Sequence, residues 1–224
     1  MGEIILAVPD KIVRELKIPE GVFLYTPEAM AYAMKQLSPH VIQEDRDKLE
    51  GNPEFRQFIP YISIFCKDSI FTAIRTKEGG DARLHGKRIA GFGGHANPVE
   101  SQYVDSFSAI IRANASRELE EELNIKGTLS MSFLGFINDY STNVNKDHLG
   151  IYMQATVDSV ESVSIRETSV LVEGGFHNIV SLKVVEGAQF ESWSTMVLEK
   201  LSSLYTESFE EVSSLDAVDG DGNE

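Results

Sequence analysis

One helical turn of this chain gathers more negative charge on a single side than an unpartnered helix tolerates. In Arg117-Glu118-Leu119-Glu120-Glu121-Glu122-Leu123-Asn124-Ile125, Glu118, Glu121 and Glu122 stand at i, i+3 and i+4. At 3.6 residues per turn the three carboxylates share a face. Like charges at that spacing cost an isolated helix about a few tenths of a kcal/mol per pair, so the group calls for a counter-charge, which a divalent cation supplies. Ala115, Leu119 and Leu123 form an apolar stripe on the other side, which the helix can bury while its acids face a cleft. Asn124 reads as a left-handed C-cap, and Ile125 packs back onto the body. Upstream, Gly93-Gly94 offers a tight bend whose free carbonyls are further hard oxygen ligands. The competing reading is a Glu-rich helix whose acids merely face water.

Gly94-His95-Ala96-Asn97-Pro98-Val99-Glu100 and the acidic helix together resemble the signature of the Nudix, or MutT-like, pyrophosphohydrolases. That signature is a glycine, five residues, a glutamate, seven residues, then Arg-Glu-aliphatic-x-Glu-Glu-x-Gly-aliphatic. Gly94 and Glu100 have the five-residue spacing, and the second half matches except for Asn124 in place of glycine. Sixteen residues separate Glu100 from Arg117 where the pattern has seven, so nine are inserted before or within the start of the helix. A longer surface loop absorbs such an insertion at little closure entropy. The flanks Arg83-Leu84-His85-Gly86-Lys87, Gly91-Phe92-Gly93-Gly94-His95, Gly135-Phe136-Ile137-Asn138-Asp139 and His148-Leu149-Gly150 look like a Nudix branch described only as predicted phosphoesterases. The resemblance covers roughly residues 55 to 200.

The resemblance implies an α+β fold, an α/β/α sandwich around a mixed central sheet. It also implies hydrolysis of a pyrophosphate in a nucleoside diphosphate linked to another group, with Mg²⁺, or Mn²⁺ in its place, activating a water. On the family's pattern Glu121, Glu122 and a carbonyl of Gly94 ligate the ion. Glu118 is a further ligand or the group that orients or deprotonates the water, Arg117 holds the carboxylates, and Glu100 braces Arg117 or the loop. A general base from a later segment, Glu161, Glu167 or Glu173, is an alternative that the sequence does not rank. Arg83, His95 and His148 are candidate substrate contacts, although a lone histidine near a loop is more often a structural hydrogen-bond partner. Zinc ligation is not expected, because no two histidines have metal-site spacing. The rival function is a catalytically silent Nudix-fold module that binds or senses a nucleotide, since fold alone does not fix activity.

The remaining expectations come from the chain as a whole. Its 224 residues suffice for a sizeable core. No apolar run approaches the ~18 residues that span a bilayer, and the start Met1-Gly2-Glu3-Ile4-Ile5-Leu6 lacks a basic secretory flank, so a cytoplasmic protein with no membrane partner is expected. Cys66 is the only cysteine, which excludes an internal disulfide or a cysteine zinc cluster and fits a reducing compartment; in a predicted strand it reads as buried and inert. A net charge of −15 argues against long nucleic acid as a partner. A small anionic nucleotide can still bind where metal ions screen it, and a homodimer partner can share in such a site.

Along the chain, residues 1–57 read as an N-terminal extension packed on the core, 58–205 as the Nudix domain and 206–224 as a disordered acidic tail. Ile4 to Val8 suits a strand, and Pro27 to Leu37 a helix capped by Thr26. Tyr61 to Cys66 and Ile70 to Arg75 form a hairpin. Ser106 caps the acidic helix, Thr128 to Ile137 and Leu149 to Val157 are strands, and Val163 to Val172 gives a strand pair with Glu173-Gly174-Gly175 as a turn. Phe190 to Leu201 is an amphipathic helix carrying Trp193.

Overall fold

The computed structural model describes residues 2–78, 84–99, 106–142, 145–182 and 189–216. In chain order the strands are β1 (Ile4–Pro9), β2 (Gly21–Leu24), β3 (Ile42–Asp45), β4 (Phe55–Cys66), β5 (Ser69–Arg75), β6 (Arg88–Ile89), β7 (Leu123–Ile125), β8 (Leu129–Asn138), β9 (His148–Val157), β10 (Val163–Ile165) and β11 (Leu171–Asn178). The helices are α1 (Asp10–Glu15), α2 (Pro27–Leu37), α3 (Arg46–Leu49), α4 (Phe107–Glu122), α5 (Ile179–Leu182) and α6 (Ser192–Asp216).

The centre is β4, whose residues after Phe55 are all buried. A continuous apolar run of this kind suits a strand covered on both faces. The main sheet runs β11-β5-β4-β9-β8-β2, with β1 also on β4, β3 on β1 and β6 on β5. Its pairings are antiparallel except β4 with β9, which makes the sheet mixed. Alternation along β4 divides the core. Phe58, Ile62 and Ile64 pack with Phe107, Ile111, Ala115 and Leu119 of α4, together with Met30 and Met34 of α2. Ile59, Tyr61 and Phe65 pack with Trp193, Val197 and Leu201 of α6. The result is the expected α/β/α sandwich.

Local chemistry explains most of the element ends. Thr26 accepts from the Ala29 N–H at 3.3 Å and opens α2 with Pro27 in the first turn. Ser106 does the same for α4, accepting from the Ala109 N–H at 3.2 Å. The inserted residues therefore supply part of the first turn of α4, while Glu100 and residues 101–105 lie outside the described residues.

Four expectations need correction. Asn124 is not a left-handed cap: α4 ends in extended backbone at Leu123 and continues as β7, which pairs with β10. Glu173-Gly174-Gly175 is not a turn but an irregularity within β11, where the register against β5 shifts and Glu173 takes φ 52°. Residues 1–57 are not merely laid on the core, because β1 joins β4 and β2 joins β8 in the main sheet. The last helix extends to Asp216, into residues whose polarity suggests a tail; residues 217–224 lie outside the described residues.

Candidate active site

A short extended segment brings the glycine bend to α4. Phe92 exchanges both backbone hydrogen bonds with Ile62, and the Ala96 N–H donates to the Phe58 carbonyl at 2.9 Å, so residues 92–96 run antiparallel along β4. Phe92 and Ala96 enter the core beneath α4, and by alternation Gly94 faces the same way. A Cβ on Gly94 would lie 2.7 Å from a carboxylate oxygen of Glu118, and one on Gly93 would lie 1.9 Å from the Pro60 carbonyl oxygen. At Gly93 the Pro60 backbone excludes a side chain outright, whereas at Gly94 a side chain would have to push the Glu118 carboxylate aside.

The bend is fastened to α4 by an amide and a guanidinium. Asn114 accepts from the Asn97 N–H at 2.9 Å and donates to the Asn97 carbonyl at 2.9 Å. One turn later, Arg117 donates through Nη2 to the His95 carbonyl and to Asn97 Oδ1, both at 3.1 Å. The same nitrogen lies 2.7 Å from Glu118 Oε1, and Nη1 reaches both oxygens of Glu121 at 3.3 Å. Arg117 thus braces both the loop and two of the three carboxylates.

The acids sit in different environments. Glu118 and Glu122 are buried at 8% and 7% exposure, while the Glu121 side chain is 56% exposed and turned to Arg117. Glu122 Oε1 is 2.7 Å from Nη1 of Arg75, at the end of β5. Its other oxygen is buried and, among the described residues, has no hydrogen-bond partner, as is also true of Arg75 Nε. Burial raises the Glu122 carboxyl to about 7; Arg75 opposes the shift, and the charges of Glu118 and Glu167 reinforce it. Glu118 is also raised, first by burial, with Arg117 opposing and Glu121 adding.

Among the described residues no three His, Cys, Asp or Glu side chains converge on one ion position. Two observations nevertheless fit a hard dication: the buried unpartnered oxygen of Glu122, and the glycine backbone pressed against Glu118. Beside them Arg117, Glu120, Glu121, Arg166 and Glu167 line an open cavity of about 590 Å³.

The candidate substrate contacts fall elsewhere. His95 has the opposite parity to Gly94, so it points to the other face of its strand, where its Nε2 lies 3.3 Å from Nε2 of His148. The two histidines thus have the proximity that their sequence spacing hides, and the carboxylate whose charge reaches His95 is that of Glu3. Burial, helped by the positive charges of Arg46 and His148, lowers His95 to about 3. Arg83 lies outside the described residues. Of the later acids, Glu167 comes near the box, its N–H donating to the Glu122 carbonyl at 3.2 Å. Glu161 is bonded to Ser159, and Glu173 to Arg88. Sequence reasoning did not single out Asn114 or Arg75. Asn114, three residues before Arg117 on the same helical face, carried a readable signal, whereas Arg75 lies at the end of a strand far away in sequence.

No family model matches the chain. It is similar to protein YmaB of Bacillus subtilis (strain 168), at 33% identity over 206 residues covering 90% of this chain and 98% of that protein. Its fold is similar to that of Tm1382, a proposed Nudix hydrolase, with a TM-score of 0.72 and 24% identity over 90% of this chain and all of the other. DR0079 from Deinococcus radiodurans aligns over 81% of this chain and 98% of its own, with a TM-score of 0.48 and 13% identity. An α/β/α sandwich with a glycine bend set against an Arg-Glu-x-x-Glu-Glu helix defines a class. The chain belongs to the same family as protein YmaB, and its fold is that of the Nudix, or MutT-like, hydrolases. Among the described residues no helix is long and apolar enough to cross a membrane.

Proposed function

We propose that the chain is a metal-dependent hydrolase that cleaves the pyrophosphate bond of a nucleoside diphosphate linked to a further group, and that it works in the cytoplasm. The observation that carries this reading is the buried, unpartnered Glu122 oxygen on the same helix as Glu118, which lies against the Gly94 backbone. Glu118, Glu122 and the Gly94 carbonyl would hold the ion, and Glu121 would join them by rotating away from Arg117. When bound, Mg²⁺ or Mn²⁺ neutralises phosphate charge and makes a water more acidic. Arg117 keeps the bend and the acids in register. Glu167, beside Glu122 and on the cavity wall, is the later carboxylate best placed to take the water's proton. Arg166, on the same wall, offers a guanidinium to the substrate's phosphates.

The Arg75–Glu122 pair favours a second reading, a silent nucleotide-binding module in which that pair is permanent. A panel of nucleoside diphosphate conjugates with Mg²⁺ or Mn²⁺ separates the two. Mononucleotide release by the wild type, reduced by orders of magnitude in Glu122→Gln with the fold retained, supports the hydrolase. Tight binding without release supports the silent module.

A further inference from the structure

Two arginines meet the carboxylates, and they are held in different ways. Arg117 is committed on every side, to Glu118, Glu121, the His95 carbonyl and the side chains of Asn97 and Asn114. Its contacts to the His95 carbonyl and to Asn97 tie loop to helix whether or not an ion is present. Arg75 meets the box through a single contact, Nη1 to Glu122 Oε1 at 2.7 Å, and its charge is also felt at Glu118. Each partner of that contact keeps a buried polar atom, Arg75 Nε and Glu122 Oε2, that is unpartnered among the described residues. A buried pair left half-satisfied does not recover its full desolvation cost, so it is readily exchanged for a better arrangement.

A dication bound through the unpartnered Glu122 oxygen would bring a second positive charge onto the carboxylate whose other oxygen Arg75 now holds. The ion and Arg75 would then repel each other across one carboxylate, and side-chain exposures of only 16% and 9% leave little water to screen them. Arg117 faces the same repulsion at Glu118 but is held by its other contacts. The Arg75 backbone is pinned, its N–H donating to the Lys87 carbonyl and its own carbonyl accepting from Gly86, while its strand pairs with Leu171. Any response is therefore confined to the side chain. A displaced guanidinium needs another anion, and its planar fork suits phosphate oxygens.

We propose that Arg75 is an exchangeable counter-ion, which holds Glu122 in the metal-free protein, releases that carboxylate when the dication binds its free oxygen, and then contacts the phosphates of the bound substrate. This rests on the metal-site reading above. Its mark is a pair of opposite effects from one substitution, whereas a merely structural Arg75 would move both the same way. The test uses the full chain at pH 8.5, so that carboxyl protonation does not compete with the ion. Calorimetry gives the affinity for Mn²⁺ alone, then for the non-cleavable diphosphate α,β-methylene-ADP at saturating Mn²⁺. Arg75→Gln should bind Mn²⁺ roughly tenfold tighter and the diphosphate roughly tenfold weaker, the loss of one charge-assisted contact. Arg75→Lys keeps the charge, guards against misfolding of the first variant, and should lie between wild type and Arg75→Gln on both measurements. Mn²⁺ affinity that is unchanged or weaker in Arg75→Gln overturns the exchange, and unchanged diphosphate affinity overturns the hand-over. If neither wild type nor variant takes up Mn²⁺, the metal-site reading itself falls and takes this inference with it.

Discussion

Gly94 and His95 are neighbours in sequence and face opposite sides of one extended segment. On the Gly94 side the surroundings are oxygen and charge: buried Glu118 and Glu122, two arginines and a backbone with no side chain in the way. On the His95 side two imidazoles lie 3.3 Å apart, burial holds His95 neutral, and the charges that reach it are those of Arg46 and Glu3 and not of the α4 acids. The period of two along extended backbone produces this division without any domain boundary. Proximity in sequence to a signature glycine is therefore poor evidence of membership in the site, and parity is better evidence.

The comparison breaks most visibly on the carboxylate side. We expect Glu118→Gln to lower kcat at least about a hundredfold at saturating Mg²⁺, because a ligand or water-orienting group acts at the reacting atoms. Steady-state assay on the best substrate of the panel checks this, and near-wild-type turnover would remove Glu118 from the chemistry. Gly94→Ala should come next. A methyl 2.7 Å from the Glu118 carboxylate forces that side chain to move, and Mn²⁺ affinity should fall roughly ten- to a hundredfold, the usual loss when a metal ligand is displaced by its supporting shell. Electron paramagnetic resonance of free Mn²⁺ reads this directly, and undiminished affinity would show that the bend does not set the position of Glu118.

Much of this was legible before the fold was known. The acidic face of α4, its Ser106 cap and the β4–β5 hairpin all follow from local periodicity and capping, which operate within a few residues. Asn124 misled because asparagine after an apolar-periodic run tolerates the left-handed conformation of a C-cap. Here the position is extended and exposed, with Asn124 opposite Ser164 in a two-stranded ladder, so a side chain costs nothing. Glu173-Gly174-Gly175 misled because a glycine pair after a strand reads as a turn, but tertiary pairing with β5 carries the strand through, with Glu173 at positive φ. Arg75 was not legible, because its meaning is a contact with a residue 47 positions away. The pairing of His95 with His148 was hidden for the same reason.

The histidine side is expected to matter for stability. His95 lies near 3 in the folded protein against about 6.5 unfolded, so the unfolded chain binds the extra proton between those values. Its contribution is complete above about pH 6.5 and is lost as pH falls toward 3. Replacing it with asparagine should flatten the acid limb of the stability curve by roughly 3 kcal/mol, a full-burial figure discounted for partial exposure. Denaturant unfolding from pH 7 to 4 on wild type and His95→Asn checks this, and parallel curves would show that His95 takes up its proton in the folded state.

The smallest expected effect is the most discriminating. If the face opposite Gly94 takes no part in catalysis, His148→Gln should leave kcat and KM within about threefold of wild type, since substitutions away from the reacting atoms act mainly through stability. The sequence offers His148 as a candidate substrate contact or a structural hydrogen-bond partner, and the fold sets it beside His95 on the face opposite Gly94. A KM that rises tenfold or more with kcat unchanged would mean that substrate reaches round the edge of the glycine segment to the imidazoles. The two faces would then be two walls of one cleft.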